Sequence, residues 1–248
     1  MLKKIVLAAA LCATASFAFW NMFPVLENHK GEAEVGVTFQ KAGDDKSLVP
    51  HVGTRYTIVQ NLELAAFLPY YVILDDAYDN GVMNPILMAR YQFLPIMNAY
   101  LDVRFPINGD VYLPDNWKFA FGLQYSQKIS IVNLGSFLGA SVSTSGENSI
   151  SPPVILEFGA EADLDFSYPV IPFVGADVSM EIGKYTKDGK NLGGSHTGHL
   201  MAAPFAGLLF QISPTFSVKT RASTLLGKKD HVGEHTSILL SATVDKSF

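Results

Sequence analysis

Apolar and polar residues alternate along most of this chain. In residues 154–166, VILEFGAEADLDF, every second position is apolar, and the opposite parity carries Glu157, Glu161, Asp163 and Asp165. A period of two predicts a β-strand, because successive side chains of a strand point to opposite faces. At about 3.3 Å per residue this segment reaches roughly 43 Å, enough to cross a bilayer core of about 30 Å at a tilt.

The same alternation predicts about twelve strands, with ten to fourteen consistent with the uncertainty of strand boundaries. The predicted strands are residues 32–40, 51–59, 62–68, 85–94, 99–107, 117–126, 134–143, 154–166, 172–183, 200–212, 216–226 and 236–248. Short turns alternate with longer polar connections, such as 41–50, 69–84 and 184–197. The predicted fold is therefore all-β, a transmembrane up-and-down antiparallel β-barrel with short periplasmic turns, longer external loops and both termini in the periplasm.

A soluble β-sandwich or lipocalin-like barrel would show the same alternation, so charge placement has to distinguish the two. Nearly every charged residue within a predicted strand has the parity opposite to the oily face. A basic side chain on a lipid face costs about 2 to 4 kcal/mol at the bilayer midplane, which favours a membrane barrel with charges inside. The predicted lumen-lining residues are Arg55, Glu63, Arg90, Asp102, Arg104, Lys118, Glu157, Glu161, Asp163, Asp165, Asp177, Glu181, Lys219 and Arg221.

The N-terminus carries an export signal. Lys3 and Lys4 precede an apolar run, and small residues allow cleavage after Ala18. The predicted organisation is a signal peptide at 1–18, a periplasmic tether or plug at 19–30, and the barrel at 31–248. Cys12 is the single cysteine and lies within the signal, so the mature chain has no disulfide with which to stabilise itself.

Composition agrees with a lipid-facing barrel. Charged residues are 17% of the chain, below the usual quarter or so, and mean hydropathy is +0.21. The mature chain nevertheless has no apolar run long enough for a membrane helix. The formal charge is −5, so no nucleic-acid partner is expected.

Two segments resemble known families. The C-terminal LLSATVDKSF, ending in Phe248, resembles the terminal signature that the barrel assembly machinery recognises, although Lys246 stands where an aromatic is usual. The hairpin GTRYTIVQNLELAAFLPY, residues 53–70, resembles the phenol-degradation MetA-pathway type of outer-membrane channel. The second resemblance implies passive transport of small solutes, hydrophobic or aromatic compounds among the candidates. It specifies neither the solute nor the oligomeric state.

Two hypotheses for the lumen follow from its charges. The bases come from the second, fourth to sixth and eleventh predicted strands, whereas six of the acids cluster on the eighth and ninth. Opposed walls of unlike sign would give an open, narrow channel with a transverse field. The alternative is that the charges pair and hold a filled lumen shut, since twelve strands lie between filled eight-stranded and open sixteen-stranded barrels.

Two other functional classes are consistent with a barrel of this size. An outer-membrane lipase or protease would need a serine or an acid beside a positioned histidine, and the adjacent Ser195 and His196 do not by themselves make a dyad. Neither His196 with His199 nor His231 with His235 has a third ligand at an informative spacing, so no metal, cofactor or catalytic residue is predicted. A structural barrel or adhesin would act through its external loops. Its candidate binding residues are Tyr70, Tyr71, Tyr78 and Tyr185.

Overall fold

The computed structural model describes residues 25–42, 45–74, 80–107, 115–146, 149–167, 169–192, 198–227 and 235–247. The predicted signal peptide, residues 19–24 of the predicted tether and the terminal Phe248 lie outside the described residues. Within the described ranges, no helix is long and apolar enough to cross a membrane.

The described residues form sixteen strands. They are β1 (Lys30–Ala42), β2 (Asp45–Val59), β3 (Leu62–Ile73), β4 (Gly81–Val82), β5 (Ile86–Leu94), β6 (Met97–Arg104), β7 (Lys118–Ile129), β8 (Val132–Ser143), β9 (Ile150–Ser151), β10 (Val154–Leu164), β11 (Val170–Ile182), β12 (Thr186–Lys187), β13 (Lys190–Asn191), β14 (Leu200–Ser213), β15 (Phe216–Gly227) and β16 (His235–Ser247).

Twelve of these strands close into one antiparallel barrel, which confirms the predicted fold and the predicted strand number. Each long strand pairs with the long strands before and after it in the chain, and β1 closes the barrel against β16, from Lys30 opposite Ser247 to Ala42 opposite His235. The short strands β4, β9, β12 and β13 lie in the connections, where β4 pairs with β3 and β12 pairs with β9 and β13. Full closure leaves no unpaired strand edge, as a bilayer requires.

The two ends of the barrel differ. Short turns join β2 to β3, β5 to β6, β7 to β8, β10 to β11 and β14 to β15 at the end where β1 begins and β16 finishes, called here the turn end. In the first of these turns Asn61 has a φ of 68°, a left-handed conformation that asparagine adopts more readily than most residues. The other end, with the longer connections, is called the loop end.

Two predicted loops are wrong in their bounds. Residues 41–50 were predicted to be a loop, yet β1 runs to Ala42 and β2 begins at Asp45. Residues 69–84 were also predicted to be a loop, yet β3 continues to Ile73 and β4 pairs with it. At the loop end, outward side chains such as Lys41 and Lys46 are exposed and charged. The apolar-outward pattern is therefore lost there although the backbone stays extended.

Burial alternates along the strands. Outward positions carry large exposed apolar side chains, whereas several inward polar side chains, such as Thr57, Glu63 and Gln124, are almost fully buried. This is the pattern of a barrel whose outer surface contacts hydrocarbon and whose interior is polar. Every long strand contributes at least one such exposed apolar side chain. One from each strand, in chain order, is Val35, Val52, Leu68, Leu87, Leu101, Phe121, Leu138, Phe158, Val174, Leu208, Leu226 and Leu240.

Candidate functional site

The inward bases of the barrel wall are mostly paired with inward acids. Arg90 on β5 binds Asp102 on the adjacent β6 through both carboxylate oxygens, and the second of these bonds, to Oδ2, measures 3.2 Å. Arg55 on β2 lies 2.6 Å from Glu32 and 3.8 Å from Glu63. Each of these pairs joins two neighbouring strands, so the ion pairs hold the wall together from the inside.

Other pairs reach across intervening strands. Lys118 on β7 contacts Oε1 of Glu157 on β10 at 3.1 Å, and Ser141 on the intervening β8 donates to the same oxygen at 3.0 Å. On the other flank, Lys219 on β15 lies 3.5 Å from Glu161 across β14 and β11. The acids of β10 therefore have bases on both sides.

The same arrangement continues one strand further on, where Arg221 on β15 contacts Asp177 on β11 at 2.8 Å. Acidic and basic side chains thus meet instead of standing apart on opposed walls. Since an unpaired buried charge is costly, this pairing is the low-energy arrangement for a narrow interior.

Four buried aromatic side chains also occupy the interior, and each stands directly opposite a glycine. The register pairs Tyr100 with Gly122, Phe137 with Gly159, Phe205 with Gly175, and Phe173 with Gly207. A Cβ added at any of these glycines would come within 3.0 Å of the ring it faces. The glycines therefore give the rings room to lie flat along the inner wall, and the rings cover backbone that the glycines leave bare.

Cations lie against three of these rings. The guanidinium of Arg221 is 3.6 Å from the centroid of Phe205, Lys219 Nζ is 4.3 Å from Phe173, and the guanidinium of Arg90 is 5.2 Å from Tyr100. Such contacts strengthen when they are shielded from water. Each of these three bases thus contacts a carboxylate and an aromatic face together, so charges and rings lie side by side on the inner wall.

The remaining interior is apolar on one side of the barrel. Ala65 and Phe67 of β3 pack with Ile86 and Met88 of β5, and we call these four residues the β3–β5 apolar patch. Nearer the loop end, Val49 and Met83 pack together with Tyr71. The inner wall therefore has an apolar region beside its charged region.

Four predicted lumen residues lie in other surroundings. Arg104, at the last position of β6, faces Ile86 and Lys118 in register, and its buried Nε has no hydrogen-bond partner among the described residues. Oδ1 of Asp163 is likewise buried without a partner in the described part of the chain. Glu181 lies 3.6 Å from His199 at the loop end.

Asp165, the fourth, lies in the turn after β10 and not within a strand, because β10 ends at Leu164. It accepts hydrogen bonds from Lys128 Nζ at 2.7 Å and from the Ser167 amide at 3.0 Å. The hydrogen bond from Lys128, with help from the Ser167 amide, lowers the pKa of the Asp165 carboxyl below its usual value. Asp165 therefore belongs to the rim at the turn end.

The chain just before β1 crosses the inward face. The Leu26 amide donates to Oε2 of Glu63 at 3.0 Å, and the Thr57 hydroxyl donates to the Leu26 carbonyl at 2.9 Å. Thr57 and Glu63 are both buried inward-facing residues. The described end of the predicted tether is thus bound to the inner wall at the turn end and does not extend away from the barrel.

The described histidines outside the loop of Ser195 and His196 lie in different surroundings. His51 contacts Glu34 at 3.1 Å within the wall, and His29 lies 3.4 Å from the Tyr56 hydroxyl. Ser195, His196 and His231 lie outside the described residues. Within the described ranges, no group of three or more His, Cys, Asp or Glu side chains is placed to hold a metal ion.

The described tyrosines of the adhesin hypothesis lie in different surroundings. Tyr71 packs against the Val49–Met83 pair, and Tyr70 is exposed on the outer face. Burial, with the nearby Glu181 carboxylate as a second cause, raises the pKa of Tyr185 to about 12. Tyr78 lies outside the described residues. The described tyrosines therefore do not form one exposed surface.

The aromatic residues are the feature that sequence reasoning missed. Phe137 lies on the inward parity of β8, where the other positions are mostly glycine and serine, so parity alone does not single it out. The available signal was the placement of glycines on the inward parity of neighbouring strands, as at Gly159 and Gly207. Its meaning depends on register, because only the register shows that each glycine faces a ring.

Comparison with solved structures finds barrels of outer-membrane proteins. The COG4313 outer membrane channel from Pseudomonas putida F1 is similar over 90% of this chain and 98% of its own, with a TM-score of 0.72 and 12% identity. The NanC porin matches over 86% of this chain and 98% of its own, with a TM-score of 0.61 and 7% identity.

A third barrel, the CymD monoaromatic hydrocarbon channel, is similar over 90% of this chain and 89% of its own, with a TM-score of 0.53 and 8% identity. At these identities the likeness shows the fold. No family model matches the chain, and no curated protein sequence matches it.

Proposed function

We propose that this protein is an outer-membrane channel for the passive movement of small solutes, hydrophobic and aromatic compounds in particular. The observation that carries the proposal is the closed twelve-stranded barrel with apolar side chains outward and charged and aromatic side chains inward. The similar solved structures include proteins named as outer-membrane channels, one of them for monoaromatic hydrocarbons, which supports the same class of function.

The interior favours solutes that combine an apolar body with a polar group. Aromatic faces at Tyr100, Phe137, Phe173 and Phe205 offer stacking partners, while the paired charges beside them offer hydrogen bonds. Burial of the inward charges makes the passage narrow at their level, so solutes the size of one aromatic ring suit it better than oligomers.

The segment before β1 would act as a plug at the turn end. Its hydrogen bonds to Thr57 and Glu63 place Leu26 against the inner wall, which supports this role for the predicted tether at 19–30. Phe248 would serve as the assembly signal for the barrel assembly machinery, with the lipid bilayer as the second partner of the folded chain.

Conductance of the refolded protein in planar bilayers tests the channel, with heat-modifiable gel migration as the check that the barrel has formed. We expect discrete openings in the full mature chain and larger ones when residues 19–29 are deleted. A folded barrel that conducts no more than bare lipid in either form would refute the channel. Equal conductance in the two forms would refute the plug alone.

A further inference from the structure

The inward bases are not all neutralised. Arg55, Arg90, Lys118, Lys219 and Arg221 each have a carboxylate within 3.8 Å. Among the described residues, Arg104 is the inward base for which no carboxylate lies within ion-pair distance, and its buried Nε has no acceptor. A guanidinium N–H removed from water without an acceptor is unfavourable. An acceptor that also carries a negative charge would therefore stabilise this position.

Two acids of the neighbouring wall are already bound by other bases. Asp102, two residues earlier on β6, is bound by Arg90 through both oxygens, and Glu157 accepts from Lys118 and Ser141. Of the three bases Arg90, Lys118 and Arg104, Arg104 is the one for which no carboxylate lies within ion-pair distance among the described residues.

The side chains beside Arg104 on β5 and β3 are apolar and buried. Its register partner on β5 is Ile86, a member of the β3–β5 apolar patch, and Phe67 of β3 is in turn the register partner of Ile86. On the opposite side, the register partner of Arg104 is Lys118, whose positive charge also favours an anion. A ligand held by Arg104 would thus have its charged end at the guanidinium and its body over the apolar patch.

We propose that Arg104 and the β3–β5 apolar patch form a binding subsite for small aromatic carboxylates near the loop end of the lumen. The planar guanidinium can donate two parallel hydrogen bonds to a carboxylate, which a single ammonium cannot reproduce. This subsite would give the proposed channel its class of solute. It rests on the proposed function only for the path by which the solute reaches it, since binding does not require conduction.

Calorimetric titration of the refolded full chain in detergent tests the subsite, with sodium benzoate, benzamide and sodium acetate as probes. Benzamide keeps the ring without the charge, and acetate keeps the charge without the ring. We expect benzoate to bind at least about tenfold tighter than either probe. Arg104→Gln should weaken benzoate binding by about tenfold or more, leaving benzamide binding unchanged, and Arg104→Lys should restore only part of the loss.

Lys128→Gln is the matched control, because it removes a base at the turn end and should leave benzoate binding unchanged. Equal affinity for benzoate and benzamide in the unsubstituted protein would overturn the proposal without any variant. Unchanged benzoate binding in folded Arg104→Gln would also overturn it. Benzoate binding in a barrel that fails to conduct would refute the channel alone, whereas conduction without benzoate binding would refute the subsite alone.

Discussion

Replacing Asp102 by asparagine removes the negative charge that neutralises Arg90, at a position where the two side chains are only 5% and 3% exposed. The asparagine keeps the volume and one acceptor oxygen but removes the carboxylate that the guanidinium contacts through both oxygens. The face of Tyr100, 5.2 Å from that guanidinium, compensates only in part, because a cation–π contact provides about 2 kcal/mol when shielded.

The expected cost follows from the burial. Breaking a buried ion pair by removing one partner costs about 3 to 5 kcal/mol, since the remaining charge stays uncompensated. With a denaturant slope of about 3 kcal/mol per molar urea, Asp102→Asn should lower the unfolding midpoint by about 1 to 2 M. Unfolding followed by tryptophan fluorescence of the refolded protein in vesicles measures this shift.

A double variant separates the effect of losing the ion pair from the effect of losing side-chain packing. Arg90→Met with Asp102→Leu replaces the pair by apolar groups of similar size, and such replacements of buried pairs are often neutral or stabilising. We expect the double variant to be more stable than Asp102→Asn, with a coupling of at least about 2 kcal/mol in a cycle built from Arg90→Met and Asp102→Leu. If the two single costs simply add, to within about 0.5 kcal/mol, then the charges act independently and the paired interior described above is wrong.

Three further predictions concern the rings and the rim. Gly159→Ala should destabilise the barrel by about 1 to 3 kcal/mol, because the added Cβ would lie within 3.0 Å of Phe137 and 2.7 Å from Asp177 Oδ1. Adding Phe137→Leu should relieve part of this loss of stability. An unchanged urea midpoint in Gly159→Ala would contradict the packing of Phe137 against Gly159. Phe137→Ala should raise single-channel conductance by roughly twofold by widening the lumen, whereas Leu138→Ala, on the outer face of the same strand, should not; equal effects of the two would refute the inward placement. Lys128→Gln should raise the pKa of the Asp165 carboxyl toward its ordinary value, measured by carbon NMR titration, because the hydrogen bond from Lys128 is the largest cause of its lowering; a titration midpoint that does not move would exclude that cause. Since the folded-state pKa of Asp165 is lowered, the stability from this contact is present above about pH 4 and disappears as the pH falls through the lowered value.

Some features of the site were within reach of the sequence. The parity rule separated Glu157, Glu161 and Asp177 from the oily face, and the structure places all three on the inward side of their strands. The two lumen hypotheses could not be separated in that way, because strand parity says which face a charge occupies but not which strand its partner occupies. Lys219 and Glu161 are 58 residues apart in the chain, and they meet only because β11 and β14 set their relative height.

The errors in the predicted loop bounds have a different physical reason. A strand within the hydrocarbon must be apolar outward, so the sequence reports it clearly, whereas a strand that extends into water has no such requirement. Lys41 and Lys46 belong to strand ends of the second kind, which are held by backbone pairing between β1 and β2.

The sequence by itself determined the fold class, the approximate strand number and the outward face of each strand, because every strand of a membrane barrel needs an apolar residue at each second position within the bilayer. Only the tertiary structure decided which charges neutralise one another, which glycines make room for rings and which base lacks a partner among the described residues. Those facts depend on the register between strands distant in the chain. Register is the sum of all the pairings around a closed barrel, and no local stretch of sequence contains it.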